Sequence, residues 1–383
     1  MLKGIEHIFK DDAQAIATTA ITRQGNLIYC GLTGGPVSLA VFDISKKKFI
    51  KGINVFPWAN DTPQIVLRKI HNALGNLNDG RIVLGEGILY TWDGIPFNLN
   101  ADHNTEHVEV RRKQSGMPPL NMEMMGPSDM PNFDLRWLPG GQILIYDPIT
   151  NKTEKIAQLK NSHYVQSMIV DPVNNKAYGH TIGDCHFFEV DINKKTIEDH
   201  GRISTWAFHN MIVKNGIVYG AWIDMDMKNK LRVLRFDPAK GFLERLEAVY
   251  LDDPGERVQG NRGIDQWLAH SSGAIFVGTA GTGMLYQFDE KKLKLQEIGR
   301  IGKGGRITSL EEDEQGRVLF TGGFPKMSVG RYDPKSQKIT DFGPITNKYE
   351  KIYFHGATYL NKTLYLAETD SGVASLWEVP IPD

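Results

Sequence analysis

The segment Lys69–Gly85 reads KIHNALGNLNDGRIVLG: an apolar stretch entered through His-Asn, a tight Asp-Gly turn and a second apolar stretch. A histidine at the start of two apolar stretches joined by a short turn returns in FHNMIVKNGIVYG at Phe208–Gly220 and in FHGATYLNKTLYLA at Phe354–Ala367. Short apolar segments separated by residues that favour positive φ are typical of β-hairpins. Hairpins that recur along one chain indicate a repeated all-β unit.

A second pattern follows the hairpins and sets the length of the repeat. A short alternating strand ends in an acidic residue, and a Lys-rich turn with a further strand usually follows. The acidic residues are Asp43, Asp147, Asp191, Asp237, Asp289, Asp333 and Glu378. After the first interval, which is much longer, they lie 44 to 52 residues apart. Four short strands repeated seven times predict an all-β, seven-bladed β-propeller with four-stranded blades.

The two ends of the repeat series predict how the ring closes. The seventh repeat reaches Asp383 after its third strand, and Leu2–Phe9 precedes the first repeat. We therefore expect Leu2–Phe9 to be the outer strand of the seventh blade, in a single domain of residues 1–383. The long first interval predicts an insertion in blade 2 at about residues 90–140, either a lid or substrate wall or a packed surface loop.

Composition excludes several classes of function. The chain of 383 residues has a formal net charge of −1 and lacks long basic runs, so no nucleic-acid partner is expected. It also lacks apolar segments of membrane-spanning length, so no membrane partner is expected. We expect the protein to be a monomer. Cys30 and Cys185 fall in different repeats, which excludes a disulfide framework and a cysteine-based zinc site. Met1–Gln14 lacks the apolar core of a signal peptide. The compartment stays open, because a removed signal would leave the same sequence.

Propeller geometry predicts where a site lies. Strands run antiparallel from the innermost outward, so the inner strands all start on one face, at the mouth of the central channel. His71, His209 and His355 occupy this position in three blades. One such histidine often only binds a neighbouring carbonyl, but three at one register favour a function. Other polar residues expected at this mouth are Tyr164, Arg262, Arg306, Asn72, Asn210 and Gln266.

Two further stretches contain side chains that could bind a metal ion. Asp102–His107 spaces two histidines for one helical face, but no flanking helical pattern is present, so a metal pair is not favoured. Ala367–Gly372 reads AETDSG and is expected to be a surface turn rather than a cation site. A metalloenzyme is an alternative in which His71, His209 and His355 hold a divalent ion (Zn, Mn or Ca) at the channel. Nothing in the sequence requires a cofactor.

The chemistry of the predicted mouth favours removal of a proton next to a carboxylate. The C5 proton of a uronic acid becomes acidic enough only when its carboxylate charge is neutralised by arginine, amides or a metal. Histidine or tyrosine can then act as base and acid. Asp265 is the one acid at a repeat-equivalent position, so a paired-carboxylate glycosidase is disfavoured.

Seven blades, a His-Asn pair at an inner strand followed by Asp-Gly, and a His-rich channel resemble the propeller-fold polysaccharide lyases such as the ulvan lyases. They are also similar to propellers that act on rhamnose–glucuronate ends of plant glycans. The resemblance implies an acidic oligo- or polysaccharide substrate, acid–base roles for His71, Tyr164 and either His209 or His355, and carboxylate binding by Arg262 or Arg306.

The stretch GRITSLEEDEQGRVLFTGG at Gly305–Gly323 is similar to streptogramin-lyase-type propellers, whose Trp-Phe-Thr-Glu signature is missing here. Two other functions remain open at this point. One is a propeller glycoside hydrolase of the rhamnosidase kind, and the other is a non-catalytic propeller that binds glycans or proteins.

Overall fold

The computed structural model describes residues 2–13, 15–56, 68–88, 105–119, 139–161, 163–182, 185–203, 210–224, 230–245, 249–250, 263–302, 304–323, 326–369 and 371–383. Over these residues the chain forms seven antiparallel sheets and one helix. The predicted fold is confirmed: the chain is an all-β, seven-bladed propeller with four-stranded blades.

The chain begins with β1 (Ile5–Ile8), which belongs to the last blade. Blade 1 follows as β2 (Ala17–Gln24), β3 (Leu27–Thr33), β4 (Leu39–Asp43) and β5 (Lys48–Ile53). The short strand β6 (Arg68–Lys69) then pairs with β3. Blade 2 contains β7 (Leu74–Asn76), β8 (Ile82–Gly85), β10 (Gln142–Asp147) and β11 (Lys152–Gln158), with β9 (Gly87–Ile88) and the helix α1 (Thr105–Gln114) between its second and third strands.

Blades 3 to 6 keep the order of their strands along the chain. Blade 3 is β12 (Tyr164–Asp171), β13 (Lys176–Ile182), β14 (His186–Asp191) and β15 (Thr196–Arg202). Blade 4 is β16 (Met211–Lys214), β17 (Ile217–Asp224), β18 (Lys230–Asp237) and β19 (Phe242–Arg245), with β20 (Val249–Tyr250) also paired to β18.

Blades 5 to 7 complete the series. Blade 5 is β21 (Ile264–Ala269), β22 (Ile275–Thr279), β23 (Leu285–Asp289) and β24 (Lys294–Gly299). Blade 6 is β25 (Ser309–Glu312), β26 (Val318–Gly322), β27 (Ser328–Asp333) and β28 (Lys338–Pro344). Blade 7 is β29 (Phe354–Leu360), β30 (Thr363–Glu368) and β31 (Ser375–Pro380), completed by β1.

Contact density divides the chain into two compact units. Unit 1 is Met1–Ile5, Ser204–Leu366 and Trp377–Asp383, and unit 2 is Glu6–Ile203 and Ala367–Leu376. Within unit 2 the inner strands β2, β7 and β12 contact one another in turn, and within unit 1 the same holds for β16, β21, β25 and β29. Each unit has apolar cores of its own, built from the inward residues of neighbouring blades. Cys30 and Cys185 are both buried and unbridged.

The recurring aspartate has a structural role at the turn before each outer strand. In Asp43, for example, Oδ1 accepts the backbone N–H of Ser45 at 2.9 Å and that of Lys46 at 3.1 Å. Such a bond fixes the turn locally, which explains why short acidic residues recur there. The same bond to a backbone N–H two or three residues later is made by Asp147, Asp191, Asp237, Asp289 and Asp333.

The hairpin turns show the backbone that their residues predict. Lys214 pairs with Ile217, which leaves a loop of two residues, Asn215 and Gly216. Their φ angles are +52° and +75°. Two successive positive φ angles define the type I′ turn, whose twist matches that of the flanking strands.

The N-terminal strand closes the last blade, as predicted. The strand β1 is hydrogen-bonded to β31 at the outer edge of the sheet. Just beyond it, the N–H of Phe9 donates to the carbonyl oxygen of Ala374 at 3.0 Å, and the Phe9 ring is fully buried. This pairing covers an edge that would otherwise expose a row of backbone groups.

The helix α1 lies within the predicted blade-2 insertion, of which residues 89–104 and 120–138 are outside the described residues. The expectation of no helical pattern at Asp102–His107 was wrong to the extent that α1 begins at Thr105. A helix of 10 residues is marginal alone, and its stability comes from tertiary contacts rather than from an apolar stripe. Arg111 and Arg112 make these contacts, each only 1% exposed.

Arg111 is held by two acids. Its Nη2 donates to both carboxylate oxygens of Glu368, at 3.0 and 2.8 Å, and also to Glu6. Its neighbour Arg112 donates to the carbonyl oxygens of Gly372 at 2.6 Å and of Pro118 at 2.7 Å. The helix therefore attaches the insertion to β1 and to the segment between β30 and β31.

This attachment corrects the expectation for Ala367–Gly372. The stretch is not a surface turn over its described residues, because Glu368 is 0%, Thr369 1% and Ser371 2% exposed. The Glu368 carboxylate is neutralised by Arg111 and accepts a hydrogen bond from Ser375. Glu368, the acid that made this stretch a candidate cation site, is instead paired with the guanidinium of Arg111.

Deleting residues 1–9 removes β1 together with the buried side chains of Leu2 and Phe9. We expect the thermal midpoint to fall by about 10 °C or more, since loss of one buried aromatic side chain alone costs about 3–5 kcal/mol. Scanning calorimetry checks this. Removal of the exposed Pro382 and Asp383 is the control, with a change of at most about 2 °C. Equal midpoints for the two truncations would contradict the closure.

The variant Arg111→Met leaves Glu368 and Glu6 without their buried counter-charge. We expect the free energy of unfolding to drop by about 3–5 kcal/mol, as when one partner of a buried ion pair is removed. The double variant Arg111→Met, Glu368→Gln should recover part of this loss, because the fully buried charge of Glu368 is then no longer stranded. Arg81→Met is the control, since Arg81 pairs with Asp79 at the surface and such pairs contribute about 0–1 kcal/mol. Denaturant unfolding measures all three.

Candidate active site

Three polar residues at inner-strand starts lie together in unit 1. Asp265 is the second residue of β21, Arg306 precedes β25 by three residues, and His355 is the second residue of β29. Their exposed fractions are 1%, 3% and 5%. Each has a fully buried apolar neighbour in sequence, namely Ile264, Ile307 and Phe354. Because side chains alternate along a strand, burying these neighbours in the blade cores directs the polar ones to the other side.

Arg306 joins the other two residues of this cluster. Its Nε and Nη2 contact the two carboxylate oxygens of Asp265, the latter at 2.8 Å. The same Nη2 lies 3.2 Å from Nε2 of His355. A guanidinium can only donate, so Nε2 of His355 accepts, and the imidazole is neutral with its proton on Nδ1. The Tyr353 ring centroid lies 5.5 Å from the guanidinium carbon, which adds a cation–π contact.

Two of the predicted amides adjoin this cluster in sequence or in space. Nδ2 of Asn210 donates to the backbone oxygen of Asp265 at 3.2 Å, so this amide supports the strand. Gln266 follows Asp265 directly and is 9% exposed. Within the described part of the chain its Nε2 has no hydrogen-bond acceptor. A buried donor left without an acceptor is costly, so a ligand with an oxygen would be favoured there.

In unit 2, His71 and Tyr164 make local contacts. Nδ1 of His71 donates to the carbonyl oxygen of Gln166 at 2.7 Å, and the Tyr164 hydroxyl donates to that of Pro139 at 2.6 Å. Burial, together with the charge of Glu86, raises the pKa of Tyr164. Asn72 has a φ of +44°, and its Nδ2 lacks an acceptor among the described residues.

Glu86 is a buried acid outside the set of site residues predicted from the sequence. It lies between β8 and β9, is 1% exposed, and forms an ion pair with Nε of Arg68 at 3.1 Å. Its other oxygen accepts the N–H of Gln142 at 3.0 Å. Burial raises its pKa to about 7 despite the opposing effects of Arg68 and Gln142. Raised pKa values of this kind are common among functional carboxyl groups. In the sequence, the one indication of a buried acid was a single Glu within the apolar run IVLGEGI.

His209 and Arg262 lie outside the described residues. The three-imidazole metal set of His71, His209 and His355 therefore stays a prediction, as do the catalytic roles assigned from the sequence. Among the helical segments of the described ranges, none has the length and hydropathy needed to cross a bilayer.

Comparison with known proteins places the chain among β-propellers by fold. No protein-family model matches the sequence, and no curated protein matches it either. Solved structures do match over the whole chain. Virginiamycin B lyase from Staphylococcus aureus superposes with a TM-score of 0.61 at 10% identity, covering 100% of both chains.

Two further structures show how widely this fold is shared. A streptogramin B lyase has a TM-score of 0.57 at 11% identity and covers 99% of this chain and 98% of its own. The Cps50 (Swd1) β-propeller domain of Myceliophteria thermophila has a TM-score of 0.54 at 9% identity, covering 99% and 100%. At such identities the likeness establishes the fold alone.

The pKa of Glu86 predicts a pH dependence of stability. Its folded-state value of about 7 lies above the ordinary 4.5, so the folded protein keeps a proton that the unfolded chain releases between these values. The resulting stabilisation is full below pH 4.5 and is lost as the pH rises through 7. Relative to Glu86→Gln, the wild type should lose about 3 kcal/mol between about pH 4.5 and 7.5. Denaturant unfolding of both proteins across this range measures it, and parallel profiles would contradict the shift.

Proposed function

We propose that this chain is a carbon–oxygen lyase that cleaves a glycosidic bond next to a uronic acid by β-elimination. The observation that supports this most is the contact of Arg306 with both Asp265 and His355. It puts a neutral imidazole beside a fixed positive charge. A base next to a carboxylate-binding cation is what elimination from a uronate needs.

Arg306 keeps the base masked until substrate binds. The 3.2 Å contact of its Nη2 with His355 is longer than the 2.8 Å contact with Asp265, where the charges are opposite. A substrate carboxylate attracts the guanidinium more strongly than a neutral imidazole does. When the carboxylate takes over this donor, the lone pair on Nε2 of His355 is released. Asp265 meanwhile keeps Arg306 charged and in place.

During the elimination, electron density moves from the base through the sugar to the leaving oxygen. Nε2 of His355 takes the proton from C5, and the C–H electron pair becomes the C4–C5 double bond. The C4–O bond breaks, its electron pair stays on the glycosidic oxygen, and a proton from water or a neighbouring acid neutralises it. Arg306 stabilises the negative charge that develops on the carboxylate in the transition state.

Gln266 complements this reaction as a second carboxylate ligand. Its Nε2 has no acceptor in the described ranges, and a carboxylate oxygen provides one. Asn72, whose Nδ2 also lacks an acceptor among the described residues, stays a proposed substrate ligand. We keep His71, His209 and Tyr164 as proposed acid–base residues, Asn210 and Arg262 as proposed substrate ligands, and an acidic oligo- or polysaccharide as the proposed substrate of a monomeric protein. The lyases named among the similar structures agree with the reaction class but, at their identity, carry no argument for it.

The test uses a panel of uronate-bearing polysaccharides and oligosaccharides. Elimination creates a double bond conjugated to the carboxylate, which absorbs in the near ultraviolet. The variant His355→Asn should lower kcat by about 10²- to 10⁴-fold, the usual contribution of a general base. Gln266→Leu should mainly raise KM, because it removes a ligand to the carboxylate.

His270→Asn is the matched control for the histidine variant. His270 is as buried as His355, but both its ring nitrogens bind hairpin groups, Ser272 and Gly316. The activity of His270→Asn should equal that of the wild type. Thermal melting first shows that His270→Asn and His355→Asn are both folded. Products without ultraviolet absorbance would indicate a hydrolase. Retention of a glycan without turnover, alike in wild type and His355→Asn, would favour a binding propeller; both outcomes contradict the proposal.

A further inference from the structure

A cluster of metal-binding side chains lies in blade 3, apart from the proposed lyase site. His163 immediately precedes β12, His186 begins β14, and Asp199 lies on β15. One ligand atom from each lies within 4.8 Å of the others. The two imidazole rings meet edge to face with centroids 4.8 Å apart. Nδ1 of His186 is 2.9 Å from a carboxylate oxygen of Asp199.

Neighbouring groups fix two of these three residues. The backbone N–H of His186 donates to Oγ1 of Thr181 at 2.9 Å, and the N–H of Gly201 donates to Oδ1 of Asp199 at 2.8 Å. Both side chains remain within reach of solvent, with 24% and 19% exposed. Metal ligands are typically held by such outer contacts, which orient them before the ion arrives.

A pocket gives access to the cluster. Its volume is about 340 Å³, and its lining includes His163, His186 and Asp199 as well as Lys160 and Glu198. A metal ion bound by three protein ligands has at least one further coordination position, which water or another small ligand can fill. The pocket has room for such a ligand. This distinguishes the cluster from an ion pair closed off within the sheet.

We propose that His163, His186 and Asp199 form a binding site for a divalent transition metal with an open coordination position. Two imidazoles and one carboxylate favour Zn²⁺, Co²⁺ or Fe²⁺ over Ca²⁺ and Mg²⁺, which prefer oxygen ligands. Ligands of such an ion lie roughly 3.3 Å apart, so small side-chain rotations from the present positions bring all three into the first coordination sphere. The site is independent of the proposed lyase reaction.

Lys160 regulates this site by competing with the metal. Its ammonium lies 3.0 Å from Oδ2 of Asp199, and its side chain is 72% exposed. The Lys160 side chain is therefore able to move away from Asp199. The metal ion then takes the place of the ammonium group beside the Asp199 carboxylate. A second group in the same blade, formed by Glu189, Glu198 and His200, has one imidazole, and Lys176 occupies its Glu189.

The test measures metal binding in the absence of any glycan. The full chain, stripped with a chelator and dialysed, is titrated with Zn²⁺ in a calorimeter and with Co²⁺ by visible absorption. One equivalent should bind, with Co²⁺ bands typical of low coordination. His163→Asn should weaken binding by about 100-fold or more, and Lys160→Gln should tighten it by up to about fivefold.

His200→Asn is the control that separates the two groups of the blade. It should leave the affinity and the Co²⁺ spectrum unchanged. Absence of binding, loss of binding in His200→Asn, or equal affinity in wild type and His163→Asn would each overturn the proposal. If His163→Asn does not fold, Lys160→Gln decides, because unchanged or weaker binding there contradicts competition at Asp199.

Discussion

The structure depends on a constraint of β-sheets: an edge strand with unpaired backbone groups is unstable and prone to aggregation. In blade 7 the constraint is met by a segment more than three hundred residues away in sequence, because Ile5–Ile8 pairs with Ser375–Pro380. Arg111 reinforces this pairing from a third part of the chain, by binding Glu6 next to Ile5 and Glu368 at the end of β30. The insertion in blade 2 thus contributes to closure, whatever else it does. That is a packing role, with helix α1 as its described part.

Three buried ion pairs among the described residues are built alike and serve two purposes. Arg111 with Glu368, Arg68 with Glu86, and Arg306 with Asp265 each remove a carboxylate from water and neutralise it with a guanidinium. An unpaired charge at these depths would cost several kcal/mol. The first pair holds elements together. The third also contacts an imidazole, and this extra contact changes a structural pair into a candidate for catalysis.

The fold was predictable because its signals are local. The recurring aspartates fix turns through bonds to residues two or three positions away, and Asn215-Gly216 specifies its own turn. The same regularity predicted that Arg306 and His355 would start neighbouring inner strands. The burial of Glu86 and Glu368 was not foreseen, since their partners Arg68 and Arg111 are set by tertiary structure. The helix α1 escaped prediction for the same reason, as two buried arginines rather than an apolar stripe hold it.

The turn aspartates give the blades a shared response to acid. Five of the six, Asp43, Asp147, Asp191, Asp289 and Asp333, have a pKa lowered by hydrogen bonds from turn residues, for Asp43 to about 2. A carboxyl group whose folded pKa lies below its unfolded value stabilises the fold above the unfolded value, 3.8 here, and that contribution disappears as the pH falls through the folded value. Acidification below pH 3.8 therefore removes a stabilising contribution from the outer hairpins of these five blades. The repeated turn that makes the fold easy to encode thus also gives these five blades a common sensitivity to acid.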